Sequence, residues 1–257
     1  MGVLNVTPDS FHAHHETPDL VRDRVRQMVQ EGADIIDVGA CSTRPGAVPV
    51  DEEEEMRRLR WSLPIVRQEA PRAIVSVDTF RASVAKMCVE EAGAQMVNDI
   101  GGGERDDRMF GTVAALGVPY VLTHSTPIEA TSDDKAMAHL LRDLGRRLDA
   151  LHEQGVCDVI LDPGFGFSKT REQDFAILRN LEALHELEQP LLVGVSRKRM
   201  VCETLSVTPE EALNGTTVLH TICLQKGAHI LRVHDVRQAK ECIKIIQRSS
   251  CEKTCSI

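Results

Sequence analysis

No apolar run in the 257 residues approaches the roughly 18 that a membrane-crossing helix requires. The opening Met1-Gly2-Val3-Leu4-Asn5-Val6 lacks the basic start of a secretory signal. Val6 also stands where a myristoylation pattern wants Ser or Thr. The eight cysteines contain no Cys-x-x-Cys pair, which argues against a structural zinc site. Positive charge is in deficit: 30 Lys and Arg face 39 Asp and Glu, a formal charge of −9 that argues against nonspecific nucleic-acid binding. Pro- or Ser-rich linkers and breaks in composition are missing as well. These absences predict a cytoplasmic protein with reduced thiols, no membrane and no nucleic-acid partner. An anionic small molecule stays compatible with the charge, because local cations decide its binding.

What is present is a regular alternation. Short runs rich in Leu and β-branched residues occur at 2–6, 35–38, 73–77, 95–98, 119–122, 159–161, 191–195 and 230–233. Continuous apolar runs of this length suit strands buried on both faces, as in a parallel sheet. Amphipathic stretches separate them at 19–31, 52–69, 81–91, 106–116, 133–153, 172–188, 209–226 and 236–248. Eight strands and eight helices in strict alternation predict an α/β fold, a single (β/α)8 TIM barrel over residues 1–248. A polar tail, 249–257, carries Cys251 and Cys255. The alternative, an open doubly wound sheet, usually has fewer strands and a glycine-rich first turn.

Almost every strand run is followed at once by a polar cluster. In order these are Asn5-Val6-Thr7-Pro8-Asp9-Ser10-Phe11, Ser42-Thr43-Arg44-Pro45-Gly46, Asp78-Thr79, Asn98-Asp99, Thr123-His124-Ser125, Asp162-Pro163-Gly164-Phe165-Gly166-Phe167, Ser196-Arg197-Lys198 and Arg232-Val233-His234-Asp235. Singly they have plain explanations. Asp78-Thr79 reads equally well as a helix cap, Asn98-Asp99 and Asp162-Pro163-Gly164 as turns, Arg44 as a solvated charge and His124 as a satisfied core histidine. In a (β/α)8 barrel, however, all eight meet at one mouth, where active sites sit. Arg44, Arg197, Lys198, Arg232 and His234 would converge as cations suited to a phosphate or diphosphate. Asp78, Asn98 and Asp162 supply two carboxylates and an amide, a set suited to a flat heterocycle with an amidine-like edge, although a carboxylate metal site is also open.

These clusters, in this order, resemble the dihydropteroate synthases, and the match runs from Asn5 to Asp235. The resemblance implies an enzyme of folate synthesis that condenses 6-hydroxymethyl-7,8-dihydropterin diphosphate with 4-aminobenzoate, with Mg2+ as cofactor and commonly as a homodimer. By resemblance, Asp78, Asn98, Asp162 and Lys198 line the pterin pocket. Thr43, Arg44, Arg232 and His234 cradle the diphosphate, Asn5 contacts the metal, and Phe11, Pro45 and Ser196 border the aminobenzoate. Lys198, Arg232, His234 and Asn5 are then the groups at the reacting bond. Two alternatives stand beside this: a methyltetrahydrofolate methyltransferase, which has no use for a diphosphate cradle, and a catalytically silent pterin-binding protein. The chain departs from the family pattern at His12-Ala13-His14-His15-Glu16, where a Ser-Asp-Gly-Gly-like segment is usual, and at Cys41, where an acidic residue is usual.

Overall fold

The computed structural model describes residues 1–6, 18–41, 50–129 and 132–249. Strands and helices alternate along the described chain: β1 (Gly2–Asn5), α1 (Pro18–Gln30), β2 (Ile35–Gly39), α2 (Glu52–Glu69), β3 (Ile74–Asp78), α3 (Ala82–Glu90), β4 (Met96–Asp99), α4 (Met109–Leu116), β5 (Tyr120–Thr123), α5 (Asp133–Glu153), β6 (Val159–Asp162), α6 (Arg171–Arg179), a 3₁₀ helix (Leu181–Leu187), β7 (Leu192–Val193), α7 (Arg199–Leu205), α8 (Leu213–Gln225), β8 (Ile230–Leu231) and α9 (Val236–Ser249). Six strands pair in parallel in sequence order, and β7 pairs with β8. Isolated parallel bridges span both remaining seams, Leu161 with Leu191 and Gly2 with Val233. Val3 N donates to Val233 O at 3.0 Å, and Leu161 N donates to Pro190 O at 2.9 Å. The eight strands thus form the ring of a (β/α)8 barrel.

The period-two alternation of the strands sorts side chains into two cores. Leu4, Ile36, Val38, Val75, Val77, Val97, Tyr120, Leu122, Val159 and Leu161 point outward and pack against the helices in the large apolar cluster. Ile35, Met96, Val121, Ile160 and Leu192 form a separate small cluster, with Met1 and Ile230 against it. That second cluster is the floor inside the barrel. The residue two places further along each strand shares its face, which puts Asp37, Ser76, Asn98, Thr123, Asp162 and Arg232 directly above the floor.

The helix ends follow local chemistry. Asp51 caps α2 by accepting from Glu54 N at 2.8 Å, and four glutamates fill the first turn, where the dipole favours them. Thr170 and Gln173 form a reciprocal capping box at α6. Gly117 ends α4 in the left-handed conformation.

The largest departures from the expected elements are two helices with other bounds and one helix that was not expected. The helix expected over 172–188 stops at Asn180, whose N–H reaches both Ala176 O and Ile177 O, and continues as the 3₁₀ helix. The helix expected over 209–226 begins only at Leu213. The short α7 was not foreseen: it has only seven residues, too few for a visible helical period, and ends at Ser206 in the left-handed region. Ser249 of the polar tail ends α9, while residues 250–257, with Cys251 and Cys255, lie outside the described residues.

The outer core predicts a simple test. Leu144 on α5 is fully buried. Leu144→Ala should cost about 2–5 kcal/mol of unfolding free energy in a denaturant titration, through lost transfer energy plus the residual cavity. An unchanged midpoint would contradict the packing of α5 against the sheet.

Candidate active site

Asp37 organises the interior above the floor. It is fully buried and accepts three side-chain hydrogen bonds: from Ser76 Oγ at 2.6 Å, Asn98 Nδ2 at 2.9 Å and Arg232 Nε at 2.7 Å. Arg232 Nη2 reaches on to Asp78 Oδ2 at 2.5 Å. Burial works against the guanidinium charge, but Asp37 and Asp78 outweigh it and hold the Arg232 pKa above its ordinary value. For Asp78 burial wins: it lifts the carboxyl to about 7 against the pull of Arg232, with the Asp37 charge adding to the rise.

Two polar atoms of this layer have no hydrogen-bond partner among the described residues. Asn98 Oδ1 and Thr123 Oγ1 are both buried and unbonded. A buried acceptor left unmade costs ~1–3 kcal/mol, so such atoms in the interior of a barrel mouth point to a ligand that completes them.

Asp162 closes the same ring. Its Oδ1 accepts from Gly164 N at 2.7 Å, and burial raises its pKa while Lys198 opposes the rise. Lys198, at the start of α7, donates through Nζ to Phe165 O and lies 4.7 Å from the centroid of the Phe167 ring. Burial lowers its pKa to about 8, against the attraction of Asp162. A carboxyl pushed up and an ammonium pushed down, facing one another, form a proton-sensitive pair of the kind found at functional sites.

Nearer the rim stand Asn5, Asp78, Ser196 and His234. Strand register puts Asn5 beside Gly39 and Gly39 beside Asp78. A Cβ added at Gly39 would meet Asn5 Oδ1 and Asp78 Cβ, each at 3.4 Å. Ser196 Oγ lies 3.1 Å from His234 Nδ1 and accepts from His234 N at 3.3 Å. Among the described residues no group of three His, Cys, Asp or Glu side chains could form a metal cage. The Asn5 amide oxygen at the rim fits instead a Mg2+ held by one or two protein oxygens and completed by phosphate.

The structure therefore brings Asn5, Asp78, Asn98, Asp162, Ser196, Lys198, Arg232 and His234 to one mouth. Phe11, Thr43, Arg44 and Pro45, and the unusual segment 12–16, lie outside the described residues. Arg197 turns away into an ion pair with Asp235, at 2.6 and 2.9 Å. The plain readings hold for Thr79 and Asp99 and only in part for His124, whose Nδ1 has no hydrogen-bond partner among the described residues. Thr79 donates to Glu55 and accepts from Arg81 N at the start of α3. Asp99 faces outward, accepting from Tyr120 OH at 2.7 Å and from two turn amides. His124 is buried in the core, where burial lowers its pKa to about 3 and keeps it neutral. Sequence reasoning missed Asp37 and Lys169, and placed Thr123 at the mouth without giving it a task. Asp37 was detectable as a lone charge inside the run Ile35-Ile36-Asp37-Val38.

Comparison with known proteins agrees with this geometry. The family model "Pterin binding enzyme" matches residues 1–234. The dihydropteroate synthase of Bacillus subtilis is 39% identical over 252 residues, covering 96% of this chain and 86% of the relative. A dihydropteroate synthase structure from Clostridium difficile, obtained in the presence of pteroic acid, superposes with a TM-score of 0.91 at 34% identity and covers 98% of this chain and 96% of that one. A Xanthomonas albilineans dihydropteroate synthase in complex with 7,8-dihydropteroate gives a TM-score of 0.88 at 34% identity, covering 98% and 93%.

The lowered pKa of Lys198 carries a sign that can be checked. The fold disfavours its charged form, so between about pH 8 and the ordinary lysine value the unfolded chain binds more protons, and this group makes stability rise with pH. Its neutral amine should accordingly appear early. Labelling with a small acylating reagent, read by mass spectrometry, should show Lys198 half-reactive near pH 8, about two units below exposed lysines. A profile rising only near pH 10 would contradict the desolvated pocket.

Proposed function

The chain belongs to the pterin-binding enzyme family, and from that premise we infer how its barrel mouth divides the work of dihydropteroate synthesis. The reaction joins 6-hydroxymethyl-7,8-dihydropterin diphosphate to 4-aminobenzoate and releases diphosphate. The arylamine nitrogen forms a bond to the pterin methylene carbon. The carbon–oxygen bond to diphosphate breaks, its electron pair leaves with the diphosphate, and the amine gives up one proton.

The observation that carries our division is the pair of unpartnered atoms, Asn98 Oδ1 and Thr123 Oγ1, in the same layer as the raised Asp162 carboxyl. A pterin ring is flat and edged with amino and ring N–H donors. Asp162 would accept from two of these, Asn98 from a third, and Lys198 would donate to ring acceptors. Asp78, held by Arg232, would border the same ring. All of these side chains stand on strand ends or, for Lys198, on the residue that precedes a helix, so the ring would meet a preorganised pocket.

The diphosphate would lie further out, toward His234, with Arg232 beneath it and with Thr43 and Arg44, which follow β2 in the sequence, beside it. Asn5 would hold a Mg2+ bound with the diphosphate; that ion would supply charge neutralisation of the leaving group. Phe11, Pro45 and Ser196 would border the 4-aminobenzoate. Ser196 is itself fixed by its contact with His234, which would couple the amine site to the leaving-group site. No covalent intermediate is required.

We further place the protein in the cytoplasm as a homodimer. No described helix is long and apolar enough to cross a membrane, and the described cysteines are free thiols. Leu205, Val218 and Ile245 on α7, α8 and α9 are large exposed apolar side chains available for a subunit contact.

The test is a coupled diphosphate-release assay with both substrates. Asp162→Ala should raise KM for the pterin diphosphate roughly tenfold to a hundredfold, because ~1–3 kcal/mol is lost for each ring donor left without an acceptor. A pterin KM within about twofold of the parent enzyme would remove Asp162 from the ring pocket.

A further inference from the structure

Lys169 is a buried lysine outside the residues assigned to the substrates. It is 4% exposed and follows β6 by seven residues, at the end of the turn that begins with Asp162. Its ammonium donates to three main-chain carbonyls: His124 O at 2.8 Å, Gly164 O at 3.0 Å and Phe167 O at 3.2 Å. An ammonium has three N–H donors, so all three are used, and all on backbone. Its own carbonyl accepts from Arg199 Nη2 at 2.8 Å, which anchors the lysine at its other end.

The turn it clasps is unusually constrained. Gly164 has φ +68°, and a Cβ there would lie 2.0 Å from His124 O, so the turn is pressed against the end of β5. Gly166 has φ +77° and donates to the buried Asp174 at 2.9 Å. Beside and between the clasped carbonyls of Gly164 and Phe167 lie the two main-chain contacts that matter for the pocket. Gly164 N donates to Asp162 Oδ1 at 2.7 Å, and Phe165 O accepts from Lys198 Nζ.

We propose that Lys169 is a positioning residue of the pterin pocket, which acts through the backbone of the β6–α6 turn to set both Asp162 and Lys198. This rests on the assignment of those two residues to the pterin ring. Lys169 is hydrogen-bonded to neither of their side chains, although its charge reaches both. It draws the end of β5 and two points of the turn onto one centre, which fixes where Gly164 N and Phe165 O can stand. A merely structural lysine would stabilise the barrel without favouring one substrate over the other. A positioning lysine biases the ring site and leaves the aminobenzoate site alone.

The experiment compares the parent enzyme with Lys169→Met and Lys169→Gln in the diphosphate-release assay, with circular dichroism as the check of folding. Lys169→Met keeps the stem and removes every donor; Lys169→Gln keeps two donors on a shorter arm. The expected result is a KM for the pterin diphosphate raised roughly tenfold or more by Lys169→Met and less by Lys169→Gln, with the KM for 4-aminobenzoate within about twofold. Added to Asp162→Asn, Lys169→Met should raise the pterin KM by a smaller factor than it does alone, because the share of its effect that runs through Asp162 is already lost. Equal losses for both substrates, additive losses in the double variant, or an unchanged pterin KM would overturn the proposal. So would failure of both single variants to fold, which would make Lys169 a folding residue. A parent enzyme that releases no diphosphate would instead overturn the functional reading itself.

Discussion

A single buried carboxylate, Asp37, holds the interior of this barrel in the form that makes it a site. It stands on β2 directly above the apolar floor and accepts from side chains on β3, β4 and β8 at once. A lone ionised carboxylate in such a place is costly, and the guanidinium of Arg232 offsets that cost. The arrangement has two consequences. Asn98 commits its amide nitrogen to Asp37, which leaves its oxygen without a donor among the described residues. Arg232 is drawn between Asp37 and Asp78, which fixes where the positive charge of β8 sits relative to the mouth.

The rest of the pocket follows from period and position. Because inward residues recur every second place, a floor of Ile35, Met96, Val121, Ile160 and Leu192 leads to a polar layer one step up and a rim one step further. The strands carry the groups that must be exact in place. The β6–α6 turn, with Lys169 beneath it, supplies backbone partners to Asp162 and Lys198. Burial then moves Asp78 and Asp162 up and Lys198 down, which lowers the charge these groups carry at the mouth below their formal count.

Much of this was legible in the sequence. Short apolar runs ending in polar clusters are a strong signal when eight of them recur, and Asp78, Asn98, Asp162, Lys198, Ser196 and His234 meet where those ends were expected to meet. What stayed hidden depended on three dimensions. Asp37 lies within an apolar strand rather than after it, and only the closed ring shows that its face is the inner one. Asn98 and Asp99 are adjacent, yet the pleat sends Asn98 inward and Asp99 outward to Tyr120 OH. Arg197 and Lys198 read as equivalent cations, but Arg197 pairs with Asp235 while Lys198 enters the pocket. The helix α7 is too short to show a period, and Lys169 looked like an ordinary residue before a helix cap.

The most direct measurement is the dissociation constant of the pterin diphosphate, by calorimetry, for the parent enzyme and for Asp37→Asn, with folding checked by circular dichroism. The substitution keeps the shape of Asp37 and removes the charge that holds Arg232. The account predicts a folded protein whose affinity for the pterin diphosphate falls roughly tenfold or more, because the inner ring loses its organiser. A folded Asp37→Asn variant with unchanged pterin affinity would contradict it.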